Sequence, residues 1–136
     1  MSRATQQMRE VAERLIAMEA PHGQSAGPEI SAAFKVCEKL RPHLAPLMGA
    51  TGFHALLSRA LTLARAEVPR LSSFQVTADG SLARPDKPGV PLKSEDLAEG
   101  GCEIVAHLLS LLEAFVGERL TLSMIRTVWP RLARRH

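Results

Sequence analysis

Apolar residues recur along this chain at helical spacing, and the densest run is 102–116. Ile104, Val105, Leu108, Leu109, Leu111, Leu112, Phe115 and Val116 fill one side of a helix there. The other side carries Ala106, Ser110 and Ala114 at four-residue steps, followed by Gly117. Small residues in a row let a second backbone approach closely. Only Glu103, His107 and Glu113 break the apolar pattern. Such a helix belongs inside a bundle or at a subunit interface.

The same periodicity predicts the other elements. Ala4, Met8, Val11, Leu15 and Met18 step by four and three, a coiled-coil-like stripe on a helix over 3–18. On its wet side Arg9 and Glu13, and Glu10 and Arg14, form i,i+4 pairs. The stretch 20–27, Ala-Pro-His-Gly-Gln-Ser-Ala-Gly, reads as a flexible hinge. The stripe therefore packs on its own domain or acts as an arm that reaches a neighbour.

A second helix starts near Pro28 and buries Ile30, Ala33, Phe34, Cys37 and Leu40. Pro42 and Pro46 are expected to bend or restart it before Gly49. Thr51 is a suitable N-cap for a third helix, whose apolar face is Phe53, Leu56, Leu57, Ala60, Leu61, Ala64 and Val68. Phe74 and Val76 alternate before Asp79-Gly80, the pattern of a hairpin. Residues 84–91 read as an extended linker. Ser94 caps the next helix, Gly117 interrupts it, and Thr121 is a candidate cap for a last helix carrying Leu122, Met124, Ile125, Val128 and Trp129.

These elements predict an all-α fold: a four- to five-helix bundle with a short hairpin-like insertion near 74–82. Residues 1–19 form the N-terminal amphipathic helix and 28–136 the helical core domain. The two halves also resemble each other at an offset of 68 residues, half the chain. Leu40, Leu44 and Gly49 align with Leu108, Leu112 and Gly117, and Val36, Cys37, Leu47, Met48, Leu56 and Leu57 align with Ile104, Val105, Phe115, Val116, Met124 and Ile125. Each half reads as helix, Gly, helix.

Composition agrees with a helical core. Of 136 residues, 46% are hydrophobic but only 4% aromatic, so Leu and Ala must fill the interior. Cys37 and Cys102 fall on apolar faces and read as reduced core thiols, with no metal-binding spacing. The start lacks the apolar core of a secretory signal, and the longest apolar run is shorter than a membrane span. The expected location is the cytoplasm.

Charge is uneven within a net +3. Residues 94–118 hold six acids and no Lys or Arg, whereas 119–136 hold five Arg and no acid. Acids in the first turns of a helix suit its dipole. The Arg-rich end offers Arg126, Arg131, Arg134 and Arg135 as phosphate contacts.

Candidate chemistry is sparse. Gly23-Gln-Ser-Ala-Gly27 matches the nucleophile-elbow pattern but lacks the strand and sheet that motif needs. His43, His54 and His107 lie on different helices and form no i,i+4 pair with another His or Cys. None is followed by the residues typical of a phosphotransfer helix. His107 shares a polar strip with Glu103, which favours a hydrogen bond at a helix interface over reactivity. The segment 45–65 resembles a helix-turn-helix, but its wet face has only Arg59 and Arg65 as cations. A PxxPxK match at 88–93 lies in the linker.

The segments 47–61, Leu-Met-Gly-Ala-Thr-Gly-Phe-His-Ala-Leu-Leu-Ser-Arg-Ala-Leu, and 116–130, Val-Gly-Glu-Arg-Leu-Thr-Leu-Ser-Met-Ile-Arg-Thr-Val-Trp-Pro, resemble a family of small bacterial α-helical proteins with no assigned activity. The resemblance implies a bacterial source and carries no catalytic residue. The expected function is a non-enzymatic interaction or regulatory module that self-associates and needs no cofactor or metal. Its interface candidates are Met8, Val11, Leu15, Ala106, Ser110 and Ala114. The second reading is nucleic-acid or phosphate binding through the Arg-rich end.

Overall fold

A computed structural model describes residues 6–19, 28–68, 75–76, 82–83 and 94–130, with side chains over 6–19, 33–68 and 100–130. The elements run α1 (Gln6–Glu19), α2 (Pro28–Glu67), β1 (Gln75–Val76), β2 (Leu82–Ala83), α3 (Ser94–Val116) and α4 (Glu118–Val128). The fold is all-α. The hairpin-like insertion is a minimal antiparallel pair, with Gln75 opposite Ala83 and Val76 opposite Leu82. Asp79 and Gly80, the expected turn, lie outside the described residues.

The core forms where α2 and α3 face each other, their most extensive contact being with one another. Leu40, Leu44, Leu57, Ile104, Leu108 and Leu112 are fully buried there. Each such side chain contributes roughly 1.5–3 kcal/mol of transfer free energy. α1 lies on α3 and α2 of its own chain, the first of the two placements its stripe allowed. Met8, Ala12, Leu15 and Ile16 are its buried face, with Val11 and Met18 half-buried beside them. No described helix is long and apolar enough to cross a membrane.

Glycines, not prolines, break the helices. α2 continues through Pro42 and Pro46 and is interrupted only at Gly49, where φ is 80° and ψ 159°. Both prolines are exposed, so the carbonyls that lose their N–H partner one turn earlier lie toward water. Thr51 therefore does not cap; it sits exposed within the resumed helix. Thr121 does not cap either. Gly117, at φ 97° and ψ 158°, is the N-cap of α4. Thr121 is buried one turn in, and its Oγ1 donates back to the Gly117 carbonyl at 2.8 Å.

Gly49 and Gly117 thus share a backbone conformation open essentially to glycine alone. Their neighbours match as well. Leu40 and Leu108, Leu44 and Leu112, and Leu57 and Ile125 are buried pairs, and Leu47 and Phe115 are both exposed. Two helix–Gly–helix units therefore face each other across one core.

Candidate functional site

One polar cluster lies inside this apolar frame. Glu103 and His107 are one turn apart on α3 and face α1, with relative exposures of 6% and 1%. Arg9 of α1 reaches across and donates Nη1 to Glu103 Oε2 and Nη2 to Oε1, the latter at 3.4 Å. The hydrogen bond to Glu103 raises the already high Arg9 pKa against the opposing effect of burial. His107 Nε2 lies 3.4 Å from Glu103 Oε1 but out of hydrogen-bonding geometry. It is the one buried side-chain N or O among the described residues without a hydrogen-bond partner. Burial pushes the imidazole pKa down, and the nearby Glu103 and Glu67 only partly offset this.

The arrangement suits a neutral imidazole beside an ion pair. His107 is almost wholly buried. No group of three His, Cys, Asp or Glu among the described residues could hold a metal. The sequence points to the Glu103–His107 strip, but the spacing of α1 pairs Arg9 with Glu13. Only the packing of α1 on α3 brings Arg9 to Glu103.

A second cross-link had no local signal. Glu19, at the end of α1, accepts from Lys39 Nζ at 2.5 Å and from Trp129 Nε1 at 2.8 Å. Burial alone would raise the Glu19 pKa, but the hydrogen bonds from Lys39 and Trp129 and the charges of Lys39 and Lys35 together hold the carboxyl below its ordinary value. The partners lie 20 and 110 residues away in sequence.

The open surface is apolar. Leu47, Phe115 and Leu120 are 54%, 64% and 46% exposed. Leu47 and Phe115 each stand two residues before a glycine break, and Leu120 three after one. Phe115 also lines a groove of about 370 Å³, together with Met48, Gly52, Ala55, Leu56 and Arg59. Arg59 is the one charged side chain in that lining.

The interface candidates divide. Met8, Leu15 and Ala106 are in the chain's own core. Packing α1 onto α3 consumes that part of the surface, so these three present nothing to a second copy. Val11 and Ser110 are half-buried, and Ala114 is exposed. Arg126 is exposed in the last turn of α4, while Arg131, Arg134 and Arg135 lie outside the described residues. The large apolar residues beside the helix breaks, Leu47, Phe115 and Leu120, are the more exposed surface. No protein family, curated protein or solved structure matches this chain.

Proposed function

We propose that this protein is a non-enzymatic helical interaction module that self-associates through the apolar surface at its two glycine breaks. The observation that carries this reading is the exposure of the large apolar side chains Leu47, Phe115 and Leu120 beside the two glycine breaks, with Phe115 also lining an apolar groove. Scattered apolar residues are ordinary on a monomer, but an apolar groove with an exposed Phe in its lining is the pattern of an interaction site. The closed state of the Glu103–His107 cluster supports the same reading from the other side. Light scattering at micromolar concentration should give a mass of twice 14.8 kDa or more. A monomer throughout that range overturns the self-association.

Phosphate binding through the basic end is the second reading. Arg119 and Arg126 favour it, because both are exposed and lie two turns apart on one face of α4. Binding by this route falls steeply with salt as counterions are released. Absence of duplex or single-strand binding near 0.15 M salt, where the Debye length is about 8 Å, removes it.

A further inference from the structure

The unpartnered nitrogen of His107 lies against the contact that holds α1. His107 Nε2 is 3.4 Å from Glu103 Oε1 with no hydrogen bond between them. The same oxygen takes the Arg9 Nη2 contact from α1, also at 3.4 Å. A buried nitrogen left unsatisfied already costs stability, and a proton on it costs more. The imidazole is 1% exposed and stays neutral there, because burial disfavours its charge.

The charged groups around it are unevenly anchored. Glu103 is on the same helix, one turn away, and Glu67 ends α2. Arg9 is the facing cation; it belongs to α1 and keeps 27% of its side chain exposed. Cys102 and Glu67 also lie in the field of Arg9. Among the described residues, α4 contributes no charged group to this set.

A proton on His107 sets a second cation against the carboxylate that Arg9 already holds. Glu103 and His107 are one turn apart on α3 and pair without help from another helix. The imidazolium repels Arg9, takes part of its hold on Glu103, and needs water. α2 and α3 make the most extensive contact in the fold. α1 brings four buried residues and its polar ties to Glu103, Lys39 and Trp129, so it is the element that yields first. Release returns His107 to water and to its ordinary value near 6.5. It therefore takes up a proton and is favoured as pH falls.

We propose that His107 is an acid-operated latch: its protonation releases α1 and uncovers the apolar face beneath it, while α2 and α3 stay packed together. This goes beyond the interaction-module reading and does not rest on self-association.

Trp129 is a built-in reporter. It is the one tryptophan of the chain, it is 4% exposed, and its Nε1 donates to Glu19 at the far end of α1. Glu19 is held below its ordinary value and stays ionised in the range used. The test titrates the full chain from about pH 8 to about pH 5 and follows Trp129 emission together with far-UV circular dichroism. The emission should shift to the red as pH falls below about 6.5. The helical signal should lose no more than the share of the 14 residues of α1, a helix too short to persist alone. His107→Gln should keep the unshifted emission throughout; if it fails to fold, His107→Met, which also lacks the proton site, takes its place. Peptide-resolved hydrogen exchange at the lower pH should be faster over 6–19 in the wild type than in the variant. Both are measured at one pH, so the intrinsic exchange rate cancels. The other histidines remain in either variant, so a shift that persists there overturns the proposal. Wild-type emission that does not move overturns it, as does exchange over 6–19 no faster than in the variant. A helical signal that collapses along with the emission overturns it too, because the whole fold then opens instead of α1.

Discussion

Arg9 and Glu103 stand 94 residues apart in sequence, and their ion pair fastens α1 to α3. Glu103 is almost wholly buried, while Arg9 keeps part of its side chain in water. Removing the cation leaves a buried carboxylate without its strongest partner. Arg9→Met should cost about 2 kcal/mol, below the 3–5 kcal/mol of a fully buried pair because Arg9 is partly solvated. Adding Glu103→Gln to that variant should recover part of the loss. Urea melts of the single and double variants measure this. Equal stability of Arg9→Met and the wild type would mean that the pair does not hold α1.

Beside that pair, His107 gives the fold a pH dependence. Burial lowers its pKa, so between the folded and unfolded values the unfolded chain binds more protons than the folded one. Stability is therefore complete above the unfolded value, about 6.5, and is lost as pH falls below it. The facing charged groups are Arg9 on α1, Glu103 on α3 itself and Glu67 at the end of α2. His107→Gln should flatten the wild-type slope of stability against pH as pH falls below about 6.5. Parallel slopes for the two proteins would show that His107 is not the titrating group.

The glycine breaks should be equivalent in energy. A Cβ at Gly49 or Gly117 meets no atom within 4 Å, so the cost of Ala is the backbone conformation alone. Gly49→Ala and Gly117→Ala should each destabilise by about 1–3 kcal/mol. Leu108→Ala and Leu112→Ala act by leaving cavities and should cost roughly 2–5 kcal/mol. Thermal or urea melts of the four variants distinguish these. A neutral Gly117→Ala would show that α4 leaves α3 by a different turn.

The two thiols should differ in reactivity. Cys37 is buried and its pKa is pushed up to about 12 by desolvation, whereas Cys102 is half-buried. The thiolate is the reactive form, so a thiol reagent near neutral pH should label Cys102 well before Cys37. Mass spectrometry of the labelled peptides reads the order. Equal rates in the native protein would place Cys37 outside the core.

The helices and their faces were legible because each carries its own periodicity. The run at 104–112 announces a buried helix, and Gly117 announces its end. The exact breaks were harder to read. Proline reads as a helix breaker, but Pro42 and Pro46 are harmless on an exposed face. Thr51 and Thr121 read as caps, but glycine with positive φ does the capping. The offset of 68 residues located both glycines, and their shared dihedral angles are the structural counterpart of that alignment. The site was less legible. Arg9 to Glu103 and Glu19 to Trp129 are long-range pairs that no local spacing encodes. The apolar surface was hidden as well, because Leu47, Phe115 and Leu120 continue stripes that otherwise go into the core.

The claim that this chain works by association through its glycine-break surface is tested most directly by sedimentation velocity of the wild type and of a Leu47→Ser, Phe115→Ser, Leu120→Ser variant. All three side chains are exposed, so the variant should keep its helical circular dichroism and its melting temperature. The wild type should sediment as a dimer or larger species at micromolar concentration, and the variant as a 14.8 kDa monomer. A folded variant that sediments like the wild type would contradict the account.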